Sequence, residues 1–301
     1  VREYAAEVGK LATEPLLARS YNRLDVSHLK QSVQEKTLRE EIKRAAKTAR
    51  KRTSDRVLPK LTAEVEGRRT IVLEPPITTA VEPGEADAVA AGLDDYLGTL
   101  APHWRRVVGG YTVEDVAHRV VGVGSVGLRA YVVLLIGSSA DDVLFLQLKQ
   151  ARRSVLARFV HGDEAWHRHQ GQRVVEYQQA LQTVSDPLLG WTTIDGREYY
   201  VRQFRNMKGT VPLNAIREHA LSDYAGIVGR LLAKGHARTS GASMIAGYLG
   251  DGEAAGEAFA RFARLYADQT EADWSALVAA AKSGKLPLAD DAHMGSAFRP
   301  G

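Results

Sequence analysis

Cysteine is absent from all 301 residues, which excludes disulfides and thiolate metal sites and suits a cytoplasmic protein. No run of 18 apolar residues occurs, so the sequence predicts no transmembrane helix and no membrane partner. A basic-then-apolar leader is missing too: the chain opens on "VREYAAEVGKLA", with Val in place of Met. The expectation is a chain truncated at its amino terminus. No repeat or low-complexity segment stands out. What remains is 45% hydrophobic and 25% charged, an ordinary globular composition with enough apolar residues for a core.

The formal net charge of +4 is a local excess. Between Lys30 and Lys60, 11 Lys or Arg stand against 4 Asp or Glu. A basic run of this kind can meet nucleic acid. Here, however, "EKTLREEIKRAAKTARKR" interleaves its charges at helical spacing, as in Glu35–Arg39 and Glu40–Arg44. No aromatic residue is interspersed to stack on bases. A solvated helical face is the preferred reading, and nucleic acid ranks lowest among the partners considered.

Breakers and periodicity divide the chain. Residues 1 to about 58 read as helical. "KLTAEVEGRRTIVLEPP" reads as two short strands around Glu66-Gly67, and "GEADAVAAGLDDYLGTL" as an amphipathic helix carrying Val89, Leu93, Leu97 and Leu100 on one side. From Thr112 to Phe204 the texture is β, interrupted by a helix from Gly171 to Gln182 and closed by a hairpin with Asp195-Gly196 at its tip. After Gly209 the chain turns helical. Leu221, Tyr224, Ile227, Val228, Leu231 and Leu232 share one predicted face, and Thr270 and Asp273 are spaced like a capping box inside one long or two shorter helices. The tail after Leu286 is expected to be disordered.

The most informative stretch is "RVVGVGSVGLRAYVVLLIG", where Gly122, Gly124 and Gly127 form G-x-G-x-x-G around Ser125. A dinucleotide fingerprint needs a helix directly after the glycines, whose amino terminus holds the pyrophosphate. The segment that follows is "LRAYVVLLIG", rich in β-branched and aromatic residues, and reads as a strand. Strand, glycines, strand is the layout of a kinase-type loop folded over nucleotide phosphates. Such a lobe needs a lysine on the next strand and a glutamate on the next helix. Lys149 ends "VLFLQLK", 22 residues after Gly127 and on the face of Phe145 and Gln147 by the period of two. Glu176 lies 27 residues further on, in "GQRVVEYQQ", with Arg173 one turn before it as a competitor.

The chemistry-performing half has no counterpart. "VHGDEAWHRHQ" invites a catalytic-loop reading, but Arg168 stands five residues after Asp163 where an Asn is required. His161, His167 and His169 are read as a polar loop rather than a metal site, because no carboxylate pattern completes them. The "IDG" at Ile194–Gly196 is turn chemistry. In "GHARTSG", His236 and Arg238 have no Asp or Asn following in pattern.

"RVVGVGSVGLRAYVVLL", "LFLQLKQARRSVL", "GQRVVEYQQALQTVSDPLLGW", "YYVRQFRNMKG" and "YADQTEADWSALVAA" together resemble the bacterial family called domain of unknown function 2252, over nearly the whole chain and most strongly from Asp115 to Ser283. Members of that family carry, upstream of the matching region, G-D-x-H-x-x-N-F-G and a D-F-D-like motif similar to the catalytic loop and metal ligand of aminoglycoside-phosphotransferase-like kinases. Neither motif occurs in this chain. Their order implies a circularly permuted kinase-like fold. The resemblance carries over Gly122, Gly124 and Gly127, Lys149 and Glu176; it places Gln203 to Asn206 at a hinge beside a base. Arg202, Arg205 and Lys208 are as well explained by surface charge as by phosphate contact.

The resulting expectation is an α+β, protein-kinase-like, circularly permuted fold with an antiparallel β small lobe and a helical remainder. Its segments are a helical part with a short hairpin over 1–111, a nucleotide-binding small lobe over 112–209, a helical large-lobe part over 210–285 and a tail over 286–301. The expected cofactor-binding residues are Gly122, Gly124, Ser125, Gly127, Lys149, Glu176 and Gln203, with no catalytic or metal residue assigned. The expected ligands are ATP and Mg²⁺. The expected function is the nucleotide-binding part of a phosphotransferase acting on an acceptor the sequence does not identify. The alternative is a non-catalytic ATP-binding or scaffold protein of the same fold.

Overall fold

The computed structural model describes residues 1–22, 33, 36–49, 61–120, 122, 124, 127–159, 167–182, 184–204, 210–212, 218–239 and 241–286. In chain order its elements are α1 (Arg2–Ala12), α2 (Leu16–Tyr21), α3 (Lys36–Ala49), β1 (Thr62–Val65), β2 (Arg68–Ile71), β3 (Thr78–Ala80), α4 (Pro83–Thr99) and α5 (Pro102–Val108). There follow β4 (Thr112–Arg119), β5 (Ala130–Ile136), β6 (Val143–Gln150), α6 (Gln170–Leu181), β7 (Gly190–Ile194) and β8 (Arg197–Gln203). The chain ends in α7 (Glu218–Ala237), α8 (Ala242–Leu249) and α9 (Glu253–Lys282). The protein is mixed α+β with antiparallel sheets. Among the described residues no helix is long and apolar enough to cross a membrane. The tail expected to be disordered lies, from residue 287 on, outside the described residues.

Two compact units can be separated: one holds residues 1–46, 180–182 and the described residues from 210 to 286, the other the described residues 47–49, 61–179 and 184–204. Residues 62–108 belong with the sheet, not with the amino-terminal helices, so the boundary expected at 111 falls elsewhere. The reason is α4, whose apolar side packs on the strands.

The sheet unit is a six-stranded antiparallel sheet in the order β3-β4-β5-β6-β8-β7, beside the separate β1-β2 hairpin. Both hairpin tips read from sequence adopt the expected turn. Glu66-Gly67 and Asp195-Gly196 have φ of 52° and 77°, and 48° and 70°, the positive values that match the twist of the flanking strands. The central strands β5 ("AYVVLLI") and β6 ("VLFLQLKQ") are buried on both faces along most of their length. One face holds Tyr131, Val133, Leu148, Tyr199 and Val201 against Val89, Leu93 and Tyr96 of α4. Each such side chain contributes roughly 1.5–3 kcal/mol on burial. The Tyr96 hydroxyl donates to Leu188 O at 2.8 Å, so its polar tip is satisfied inside the core. The other face holds a smaller cluster: Ile71, Ala117, Val132, Leu134, Phe145 and Phe204.

In the helical unit Val8 and Leu11 of α1 pack against Ala233 and Ala237 of α7 and Ala242 of α8. Of the face predicted for α7, Ile227 is buried, while Leu221, Val228, Leu231 and Leu232 are each about 40% exposed or more. Where α7 meets α1 its core contacts are the alanines Ala233 and Ala237, whose small side chains let α1 approach closely; a reading of large apolar residues passes over them. The capping-box reading of Thr270 and Asp273 does not hold. Helix α9 is continuous through both, the Thr270 hydroxyl donates to Tyr266 O, and Asp273 accepts from Gln269 Nε2.

Candidate functional site

The glycine loop joins β4 to β5 at the sheet's edge of polarity, where the apolar run of β5 begins at Ala130. Gly122 and Gly127 have φ of +96° and +73°, and a Cβ at either would meet nothing. Glycine is required there by backbone conformation, not by space. Gly124 is exposed and lines a pocket; Ser125 lies outside the described residues.

That pocket has a volume of about 190 Å³ and is formed by Gly124, Leu128, Ala130, Lys149 and Tyr200, among others. The register explains it. On β6, Lys149 stands between Ala130 on β5 and Tyr200 on β8, and Ala130 is too small to fill the space beside it. The volume lies below the roughly 300–1,000 Å³ of sites that enclose a drug-sized ligand. The structure therefore brings Gly124 and Lys149 to one place. Lys149 is half-buried. Burial, and secondarily the charge of Arg202, pushes its ammonium below the ordinary lysine value. Among the described residues no carboxylate is paired with it.

Glu176 is not brought to this pocket. Its Oε2 stands 2.6 Å from His167 Nε2 and its Oε1 accepts from Gln172 Nε2 at 2.7 Å. Arg173, its expected competitor, donates to Gln170 and to Arg152 O. The placement of α6 has a local cause: a Cβ on Gly171 would overlap the carbonyl oxygen of Tyr199, so only glycine lets the helix start against β8. Gln170 N and the His169 ring add bonds to Glu198 and Thr193 at the β7-β8 hairpin. Burial lowers the His169 value against the charge of Glu198.

Gln203 ends β8 opposite Leu146, with its backbone N donating to Asp186 Oδ2 at 2.7 Å. It too lies away from the Lys149 pocket. Arg205 to Gly209, His161 and Asp163 fall outside the described residues. Among the described residues no group of three His, Asp or Glu could hold a metal ion.

Sequence reasoning missed a clamp at the foot of the glycine hairpin. Glu85, in the first turn of α4, accepts from the Tyr131 hydroxyl at 2.5 Å and stands 3.0 Å from His118 Nε2. It is also paired with Arg129. His118 stacks on Tyr131 across the strands at 4.8 Å. One carboxylate thus holds the end of β4 and the start of β5 together on the face away from Lys149. Burial opposes its charge, but hydrogen bonds from Tyr131 and His118 outweigh it and hold Glu85 below the usual carboxylate range. The partners lie 33 to 46 residues away in sequence, so no spacing rule would have found them.

A family model described as an uncharacterized protein conserved in bacteria matches residues 1–280 of the chain. No curated protein and no solved structure matches it.

Proposed function

The chain belongs to that bacterial family, domain of unknown function 2252, and on this footing we propose that its sheet unit grips the phosphates of a nucleotide. The observation that carries the reading is Lys149: a half-buried ammonium, without a carboxylate partner among the described residues, in a small pocket beneath a glycine loop. Burying an unpaired charge is costly unless a counter-charge arrives. An anion in the pocket supplies it, beside Gly124 of the glycine loop. The order of elements supports a kinase-type lobe in particular: strand, glycine loop, strand, lysine strand, helix, hairpin. ATP with Mg²⁺ is the nucleotide we propose. Among the described residues no cluster fits the metal.

In this reading the chain is the nucleotide-gripping part of a circularly permuted kinase-like phosphotransferase. Its own residues bind and orient the phosphates. No Asp stands five residues before an Asn anywhere in the chain, so no residue of it is assigned to the transfer itself. A second reading, a nucleotide-binding protein without catalysis, is favoured by one observation: Glu176 is engaged by His167 and Gln172 instead of Lys149.

The test is the melting temperature with and without ATP·Mg²⁺ for the protein and for Lys149→Ala. A stabilisation seen in the first and lost in the second supports the site. Equal shifts, or none in either folded protein, would remove it.

A further inference from the structure

Across β6 and β8, Gln147 faces Arg202 and Lys149 faces Tyr200. The period of two puts all four side chains on one side of the sheet. Lys149 and Arg202 are therefore diagonal neighbours on that face, a relation that sets Cβ atoms roughly 7–8 Å apart and within reach of long side chains. Their closeness is felt electrically, since the Arg202 charge adds to burial in lowering the Lys149 value.

Arg202 has no carboxylate partner among the described residues. Its Nε and Nη2 instead donate to Gln147 Oε1, at 3.2 and 3.0 Å. This orients the amide. With Oε1 committed to the guanidinium, Gln147 Nε2 is the other end, and it is buried without an acceptor in a residue 1% exposed. An arginine serving only to tie the sheet together would satisfy its buried partner. Here it takes the only acceptor that Gln147 has and leaves a donor behind. An ammonium and the remaining N–H groups of a guanidinium thus share one face, and the one acceptor beside them, Gln147 Oε1, is already taken.

We propose that Lys149 and Arg202, the latter oriented by Gln147, form one polyanion site that takes two adjacent phosphate groups, the first at Lys149 beside Gly124 and the second at Arg202. The proposal rests on the nucleotide reading for the identity of the ligand, and sharpens it from nucleotide to nucleoside diphosphate or triphosphate. A single phosphate at Lys149 leaves Arg202 uncompensated, whereas a chain of two or more spans both cations. The guanidinium fork suits a phosphate oxygen pair better than an ammonium would.

Titration calorimetry on the whole chain tests this with AMP, ADP, ATP and inorganic tripolyphosphate as probes. The protein should bind ADP and tripolyphosphate at least tenfold more tightly than AMP. Arg202→Met, shown to be folded by circular dichroism, should lose that preference while changing AMP binding less than twofold. Arg202→Lys should keep part of it. An undiminished preference in folded Arg202→Met overturns the proposal, and the nucleotide reading then still stands on Lys149→Ala. Arg202-dependent binding of tripolyphosphate without binding of ATP keeps the polyanion site and removes the nucleotide. Should Arg202→Met not fold, the native protein decides: no preference for ADP over AMP, or no binding of any probe, overturns the proposal.

Discussion

His167 holds Glu176, Nε2 to Oε2 at 2.6 Å, with the histidine residue only 8% exposed. A carboxylate so held belongs to the seating of α6, where the ring of His167 also packs on Tyr177. Burial works against its charge, but the bonds from Gln172 and His167 prevail and hold its carboxyl below the ordinary value of 4.5. A lowered carboxylate stabilises the fold above its unfolded value, and that contribution is lost as pH falls through the folded one. Glu176→Gln should therefore melt lower than the native protein at neutral pH, with the two curves converging as pH falls below about 4. It should leave ATP·Mg²⁺ affinity within twofold. A loss matching that of Lys149→Ala would place Glu176 in the phosphate site after all.

Lys149→Met separates binding from stability. Burial and Arg202 lower the lysine value, so the unfolded chain holds this proton more firmly than the folded one. Stability then rises with pH between the folded value and the ordinary 10.5. At neutral pH the variant should melt no lower than the native protein, and any advantage it has should shrink as pH rises toward 10. Its affinity for ATP·Mg²⁺ should fall by roughly 10- to 100-fold, the size of one charge-assisted hydrogen bond of about 1.5–3 kcal/mol. Paired thermal scans across pH, with and without ligand, read both effects.

Gly171→Ala probes why α6 sits where it does. The added methyl would overlap the Tyr199 carbonyl oxygen, which is backbone of a strand paired on both sides and has little room to yield. Overpacking of this kind costs about 1–3 kcal/mol. The expected outcome is a lower denaturation midpoint at an unchanged urea slope. Folded Gly171→Ala should still bind ATP·Mg²⁺, because the atoms the added methyl would meet, the Tyr199 carbonyl and the His169 ring, do not line the Lys149 pocket.

Features that depend on near neighbours were legible in the sequence. The turn pairs Glu66-Gly67 and Asp195-Gly196 need positive φ within two residues, and the apolar side of α4 repeats at helical spacing. The glycine loop, the strand after it and Lys149 were legible for the same reason. Partnerships made across the fold were not. Nothing in "GQRVVEYQQ" shows that Glu176 will meet a histidine nine residues before it and not a lysine 27 residues before it. The alanine face of α7 escaped because apolar periodicity weighs large side chains, whereas helix contact also selects small ones. Arg202 could be read as surface charge until the register set it beside Lys149.

Glu85 ties the glycine loop to the rest of the sheet unit. The loop residues 120–129 run from β4 to β5, and its two feet carry His118, Arg129 and Tyr131, all gathered on one carboxylate. Glu85→Ala removes a charged acceptor from three donors at once, and should destabilise the protein by about 2–3 kcal/mol. Because the Glu85 value is lowered, its contribution is present above the ordinary 4.5 and fades as pH falls through the folded value. The gap between Glu85→Ala and the native protein should narrow in acid. Hydrogen exchange supplies the local readout. Amides of residues 118–131 should exchange faster in the variant at neutral pH, while those of β6 and β8 keep their protection. On the proposed reading ATP·Mg²⁺ should also bind more weakly, since Gly124 lines the Lys149 pocket and the feet of its loop are no longer tied together. Unchanged exchange at the feet of the hairpin would show that the strands hold the loop without the clamp.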